Sequence, residues 1–284
     1  MQAIQELIDN IQTDFKSGKL KVPSLPEVAI KINKYVGDPD ANVATMAKVV
    51  QMDPALAAKL IQAANSALYA RNSKAEDCRT AIARLGMVTT RNLVMSFALG
   101  QSFQVGSAVV RDMARDIWNV SSEVAAISYV LARVTMGMMP DKALLAGLVL
   151  NIGAIPILRY AADYPELRKD RKLLNELINK LSYKIGSLVL QQWSFDPELV
   201  DIPRQINNCN YAPDQKINYV DIVIVANVHN QFGKKDKAGP NKLHELTSFQ
   251  KMPLFKIGPD ASVELLYEAR EEINSLTRML MSAA

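Results

Sequence analysis

Apolar residues recur at intervals of three and four along most of this chain, and this spacing restricts its fold more than any other feature. After Pro54, for example, Leu56, Leu60 and Ala64 fall on one face of a helix. No convincing Asn-Gly or Asp-Gly turn stands between alternating strands, so no hairpin signal competes with the helical pattern. The sequence therefore predicts an all-α fold.

Proline, glycine and aspartate mark the ends of the predicted helices. Asp53 is expected to cap a helix that begins at Pro54, because the first helical N–H has no helical partner and proline lacks one. The stretch Met138–Asp141 is expected to break the chain and cap an apolar helix that extends to Leu150. Asp196 is expected to cap a helix that begins at Pro197, and Pro203 to kink or split that helix. The other helical predictions that matter below are Met1–Leu20, Arg171–Lys180, Tyr183–Trp193 and a closing helix Ala261–Met281, with an irregular connection over Gly233–Pro259.

Composition narrows the class of protein further. With 284 residues, of which 49% are hydrophobic, the chain can bury one large core or two packed lobes. A net charge of +4, from 33 basic and 29 acidic residues, argues only weakly for an anionic partner. The densest basic stretch, Lys234–Lys237, has no interleaved aromatic residue, so it is interpreted as a solvated loop and a nucleic-acid partner is not expected.

Cysteine use and hydropathy indicate a cytoplasmic protein without membrane insertion. Cys78 and Cys209 lie far apart, which disfavours a disulfide framework or a thiolate metal site. Met1–Leu20 alternates charged and apolar residues and lacks the uninterrupted apolar core of a signal peptide. The most apolar run, Ala143–Leu158, is shorter than the ~20 residues of a spanning helix and contains Pro156, so it is predicted to be a buried helix and turn.

Five motifs follow one another in the first third of the chain. They are Val22–Ala29 (VPSLPEVA), Asp38-Pro39, Asp53–Leu60 (DPALAAKL), Ala64–Tyr69 (ANSALY), and Ala81–Gly86 (AIARLG) followed by Arg91–Val94 (RNLV). Together, and in this order, they resemble the opening of HDOD domains, the HD-related output domains of bacterial signalling. The resemblance covers residues 22–230. It implies a two-lobed, multi-helix bundle of the HD-domain, phosphodiesterase-like type.

That resemblance also suggests how the chain is organised. Residues 1–21 would form an N-terminal helix, and residues 22–215 the HDOD domain. Within this domain an N-terminal lobe would extend to about residue 106, with the HD-like lobe after it. Residues 216–284 would supply C-terminal helices that complete the HD-like lobe.

The metal site of the related HD phosphohydrolases supplies the functional test. Those enzymes hold a divalent ion with a histidine, a His-Asp doublet and a later aspartate, and the ion lowers the pKa of its bound water to make a nucleophile. By resemblance these places fall on Val120, on Leu150 and Asn151, and on Asn227. The resemblance thus implies a vestigial HD pocket, meaning these four residues, with no metal, no cofactor and no hydrolysis.

A second candidate region follows the helix that begins at Pro54. Asn65, Ser66 and Tyr69 suit a helix terminus and turn, since short polar side chains bond to nearby backbone. The same three residues are alternatively a partner-binding surface of the first lobe. Both interpretations stay open from the sequence.

Three functions are compatible with these patterns. The first is a non-catalytic bacterial signal-transduction module that acts through contacts with unidentified signalling proteins. The second is a nucleotide-binding regulator that uses the vacated pocket, and the third is a metal-dependent phosphohydrolase with a rearranged site. His229 and His244 are the only histidines and lack the spacing of a helical metal-binding pair, which favours the first.

Overall fold

The computed structural model describes residues 8–11, 13–14, 17–18, 22–35, 41–71, 73–104, 108–164, 167, 170–235, 243–256 and 258–282. Every regular element in these ranges is helical, which confirms the all-α prediction. The helices are α1 (Glu27–Tyr35), α2 (Val43–Val50), α3 (Pro54–Ala64), α4 (Cys78–Leu85), α5 (Met87–Ser102), α6 (Ala108–Arg133), α7 (Pro140–Leu148), α8 (Ala154–Ala162), α9 (Arg171–Gln192), α10 (Pro197–Gln205), α11 (Tyr219–Lys235), α12 (Thr247–Gln250), α13 (Pro259–Glu268) and α14 (Arg270–Met281). Short 3₁₀ turns lie at Val149–Asn151 and Pro253–Lys256.

Two helices organise the core. The 26-residue α6 packs against α7, α11 and α14, and α5 packs against α1, α3 and α4 on one side and α7 on the other. Residues 92–100 of α5 are all buried, because this helix has neighbours on every side. Helix α5 therefore joins the first group of helices, α1–α5, to the second group, α6–α14.

The predicted cap of α3 is confirmed by its hydrogen bonds. The Asp53 carboxylate accepts from the backbone N–H groups of Ala55 and Leu56, at 2.9 and 3.0 Å, and Pro54 occupies the first helical position. Gly86 ends α4 with a φ of 81°, a left-handed conformation that glycine adopts without a steric penalty. Asp53 and Pro54 therefore set the start of α3, and Gly86 separates α4 from α5.

Other helix predictions were wrong in their boundaries. The segments Arg171–Lys180 and Tyr183–Trp193 form one helix, α9, because Leu177, Leu181 and Ile185 continue a single buried stripe across the expected break. The expected closing helix, Ala261–Met281, divides at Ala269, whose ψ of 8° departs from helical geometry. The connection before it contains α12, which is anchored by the fully buried Phe249.

Asp196 and Pro197 begin α10 as predicted, but the Asp196 side chain does not cap the helix. Its carboxylate makes no hydrogen bond to the first turn of α10 and lies 3.7 Å from Arg91 and 3.5 Å from Lys142. Pro203 does not split α10, which continues to Gln205, since the proline lies near the helix end where few helical hydrogen bonds remain. The Asp196 carboxylate therefore lies near the charged groups of Arg91 and Lys142 instead of capping α10.

Two further predictions concern the ends of the chain and the apolar run. The segment Pro140–Ala162 is apolar enough to cross a membrane, yet 83% of its most apolar window is buried inside the protein, as in a core helix. Within the predicted N-terminal helix, residues 8–11 and 13–14 are helical, and Ile8 and Ile11 are buried. The predicted helix ends earlier than expected, since residues 17 and 18 lie in a turn and Gly18 has a φ of 75°. The other residues of that helix, and the expected lobe limit near residue 106, lie outside the described residues.

Candidate functional site

The four residues of the vestigial HD pocket lie on three elements that adjoin in the second group of helices. Val120 is on α6, Leu150 and Asn151 are in the 3₁₀ turn after α7, and Asn227 is on α11. Helix α6 packs against both that turn and α11. Leu150 is 6% exposed and Asn227 is 8% exposed, while Val120 and Asn151 are half-buried.

The side chain of Asn151 is engaged within the protein. Its amide Nδ2 donates to the hydroxyl of Ser121 at 3.1 Å, which ties the 3₁₀ turn to α6 beside Val120. Leu150 next to it contributes to the apolar core. The doublet region thus presents a buried leucine and a hydrogen-bonded amide.

The two histidines do not lie together. His229 is buried on α11, and burial lowers its pKa to about 4, so the imidazole is neutral near pH 7. His244 is exposed and packs edge-on against Phe255, with ring centroids 5.7 Å apart. Among the residues that the structure describes, no three His, Cys, Asp or Glu side chains form a group that could hold a metal ion.

Gly153, which follows the doublet region, has a packing role. A Cβ at this position would lie 2.0 Å from the carbonyl oxygen of Ser182 and 2.5 Å from the backbone nitrogen of Gly186, both on α9. Only glycine permits so close an approach of two backbones. The absence of a side chain at Gly153 therefore lets the chain after the 3₁₀ turn pack directly against α9.

The structure places Asn65 and Ser66 in the turn that ends α3. The Asn65 side chain donates to the carbonyl of Ala75 at 2.7 Å and accepts from the N–H of Ala75 at 2.8 Å. Arg84 donates to the same amide oxygen at 3.0 Å, and the Ser66 hydroxyl donates to the Ala63 carbonyl at 2.7 Å. Asn65 therefore holds the loop before α4 through backbone hydrogen bonds, as predicted for a polar residue in a turn.

Tyr69 points away from that turn to a carboxylate that the sequence did not single out as a partner. Its hydroxyl donates to Asp141, which also accepts from the Thr89 hydroxyl at 2.9 Å. Asp141 is 8% exposed and lies in the first turn of α7, and Tyr69 and Thr89 occupy both of its carboxylate oxygens. Burial, reinforced by the negative charge of Asp141, raises the pKa of Tyr69, so the phenol stays protonated.

Lys142, the residue after Asp141, makes a second set of contacts where the helices α1–α5 meet the helices α6–α14. The Lys142 ammonium lies 3.2 Å from Glu198 and 3.5 Å from Asp196, and it covers the ring of Tyr219 at 4.7 Å. Arg91 of α5 is also 3.7 Å from Asp196. The first turn of α7 is therefore a junction between α1–α5 and the helices α10 and α11.

A cleft of about 690 Å³ opens beside Ser66. One wall is the turn after α3, and the other is α14, which is held to α6 by an indole hydrogen bond from Trp118 to the carbonyl of Leu280 at 3.2 Å. Arg133 donates to both carboxylate oxygens of Glu272 at the same wall, at 2.7 and 2.5 Å. The cleft-lining residues used below are Ser66, Leu68, Arg133, Glu272, Leu276 and Met279.

Comparison with known proteins gives a consistent family signal. A family model for the HDOD domain matches residues 22–209 of the chain. A crystal structure from Shewanella amazonensis SB2B, of a protein provisionally named a metal-dependent phosphohydrolase, is similar at 27% identity and a TM-score of 0.82, covering 99% of this chain and 100% of that chain. Another, from Marinobacter aquaeolei VT8 and provisionally named a signal transduction protein, has 21% identity and a TM-score of 0.63, covering 98% of this chain and 66% of that chain.

A curated relative is longer than this chain. An uncharacterised protein of Treponema pallidum is 24% identical over 228 residues, which is 74% of this chain. The matched part spans only 42% of that relative's own length.

Proposed function

The chain belongs to the HDOD domain family, and on this premise we propose that it is a non-catalytic, cytoplasmic signal-transduction module that acts through protein contacts. The observation that carries the proposal is the identity of the four residues in the vestigial HD pocket, Val120, Leu150, Asn151 and Asn227. Valine and leucine have no donor atom for a metal ion, and the two amides are neutral where the phosphohydrolase motif has charged or imidazole ligands.

The local geometry supports this proposal. Leu150 is buried among core residues, and the Asn151 amide already donates to Ser121. An ion bound at Leu150 would cost the burial of its apolar side chain, and an ion bound at Asn151 would cost its hydrogen bond to Ser121. His229 is neutral and shares α11 with Asn227, but the described residues gather no acidic group with it into a metal-binding set.

The cleft beside Ser66 is the surface that we propose for partner contact. It combines apolar side chains, Leu68, Leu276 and Met279, with the Arg133–Glu272 ion pair at one wall. Concave surfaces that mix apolar walls with a few polar groups are typical binding sites. Of the three residues proposed from the sequence, Ser66 lines this cleft, while Asn65 bonds to Ala75 and Tyr69 to Asp141.

The test is a crosslinking experiment in lysate of the source cells, with the wild type and two variants. Leu68→Glu places a charge in the cleft, and Val263→Glu is the matched control on an exposed apolar residue outside it. We expect the wild type and the control to crosslink to the same protein and Leu68→Glu to lose that crosslink. If Leu68→Glu crosslinks as strongly as the wild type, the cleft is not the surface that contacts the partner.

A further inference from the structure

A second cavity, with a volume of about 470 Å³, lies within the second group of helices, α6–α14. It is bounded by the end of α9, the start of α10, the loop at Tyr211 and the first turn of α11. Cavities of this size hold small molecules or a single long side chain. The lining residues that bear on its chemistry are Phe195, Glu198, Val200, Asp201, Tyr211 and Val220.

The charge of this cavity is acidic. Its lining contains the carboxylates of Glu198 and Asp201 and no lysine or arginine. Glu198 is already compensated, since it accepts from Lys142 at 3.2 Å and from the N–H of Tyr219 at 3.1 Å. Asp201 is half-buried and makes no hydrogen bond or ion pair with the described residues, which leaves one carboxylate for a ligand.

The walls beside Asp201 are aromatic and aliphatic. Tyr211 is 7% exposed, and its hydroxyl is held by the side-chain amide of Asn218 at 3.2 Å, so the ring is fixed in place. The Lys251 ammonium lies 5.3 Å from the centre of this ring, a distance within the range of a cation–π contact. Phe195 and Val200 are both largely buried and supply apolar surface.

The electrostatic surroundings favour positive charge as well. The pKa of Tyr211 is raised, chiefly by burial, and the negative charges of Asp201, Asp221 and Asp214 add to the rise. Lys251 pairs with Asp221 at 3.0 Å and so offsets one of these three. Asp201 and Asp214 place further negative charge near the ring, which disfavours a bound anion such as a phosphate ester.

We propose that this cavity binds an organic cation, a guanidinium or ammonium group on a short apolar stem. Asp201 is its counter-ion, and Tyr211, Phe195 and Val200 enclose the stem. The cation comes either from an arginine or lysine side chain of a partner protein or from a free amine. The cavity is separate from the cleft beside Ser66, so this proposal and the proposed function succeed or fail independently.

The test is isothermal titration of the full chain with N-acetyl-arginine amide. N-acetyl-citrulline amide is the control ligand, because it keeps the shape of the side chain and removes the charge. We expect saturable binding of the arginine compound and at least about tenfold weaker binding of the citrulline compound, as expected for the loss of a charge-assisted hydrogen bond. Equal binding of the two compounds, or no saturable binding of the arginine compound, would overturn the proposal without any variant.

Two variants then assign the counter-ion. Asp201→Asn should weaken binding of the arginine compound by about tenfold or more. Asp214→Asn, which removes an equal charge near Tyr211 but outside the cavity, should change it by less than about twofold, as expected for a solvent-screened charge. An equal loss in both variants, or no loss in Asp201→Asn, would contradict the role of Asp201.

The source of the cation follows from a third ligand, agmatine, which is a free amine with a guanidinium group. Tighter binding of agmatine than of N-acetyl-arginine amide supports a free amine as the natural ligand. Tighter binding of the amide-flanked compound supports a partner side chain. Either ranking supports the proposed cation chemistry.

Discussion

Asp141 illustrates how one residue can serve two helical groups. Its carboxylate sits at the second position of α7, where the helix dipole stabilises negative charge, and it accepts from Tyr69 and Thr89 of the first group. Because the carboxylate is buried, losing these donors would leave it without its hydration or its partners. Asp141 is therefore expected to contribute to stability more than its helix position alone suggests.

The variant Asp141→Asn tests this contribution. An amide offers one acceptor oxygen, so one of the two hydroxyl donors loses its partner, and we expect a loss of about 1–3 kcal/mol in the free energy of unfolding. Asp260→Asn is the matched control, since Asp260 also follows a helix-initiating proline but is exposed. Urea denaturation of both variants should separate the hydrogen bonds from Tyr69 and Thr89 from the helix-dipole effect. Equal losses in the free energy of unfolding would refute the role of Tyr69 and Thr89.

His229 makes stability depend on pH. Burial lowers its pKa in the folded protein to about 4, against 6.5 in the unfolded chain, so below pH 6.5 the unfolded state binds the extra proton first. The free energy of unfolding should therefore fall as the pH drops from 6.5 toward 4, by up to about 3 kcal/mol from this residue.

The measurement is urea denaturation of the wild type and His229→Gln at pH 7 and pH 4.5. The variant should lose less stability than the wild type between these two values. Titration of the His229 imidazole by NMR near pH 6.5 would contradict the account.

At the scale of elements, the sequence predicts helix boundaries better than it predicts tertiary contacts. The start of α3 at Pro54 follows from backbone chemistry within a few residues, and it was predicted correctly. The start of α10 at Pro197 was predicted as well, but the capping hydrogen bond of Asp196 does not form, because Arg91 and Lys142 reach its carboxylate from distant parts of the chain. Spacing of apolar residues cannot reveal such a competitor.

The crossing of the 3₁₀ turn and α9 gives an element-level prediction. Gly153→Ala would bring a Cβ to 2.0 Å from a backbone oxygen of α9, a contact that no side-chain rotation relieves. We expect a loss of about 3 kcal/mol or more in the free energy of unfolding.

The matched control is Ser182→Ala, which alters the neighbouring side chain but keeps the backbone oxygen. It should change stability by less than about 0.5 kcal/mol, measured by urea denaturation. A mild effect of Gly153→Ala, comparable to that control, would mean that the two backbones separate readily.

For the whole molecule, the fold was predictable and the contacts between its parts were not. Helical periodicity and five motifs indicated the all-α HDOD architecture, which the family match and the helical structure support. Tyr69 and Asp141 are 72 residues apart in sequence, and neither carries a motif that points to the other. The cleft beside Ser66 and the acidic cavity at Asp201 arise in the same way, from elements that only the tertiary structure brings together.

The central proposal for the whole molecule is that four replaced side chains leave the HD pocket without a metal. A variant that combines Val120→His, Leu150→His, Asn151→Asp and Asn227→Asp supplies the comparison. If these positions face one space, the folded variant should bind Mn²⁺ where the wild type does not. A cooperative melting transition would verify that the variant is folded.

The most direct test is the metal content and phosphodiester turnover of the wild-type protein, purified without chelator and offered Mn²⁺ or Mg²⁺. The account predicts substoichiometric metal and no turnover above the uncatalysed rate. Stoichiometric bound metal, together with turnover that a chelator abolishes, would contradict it.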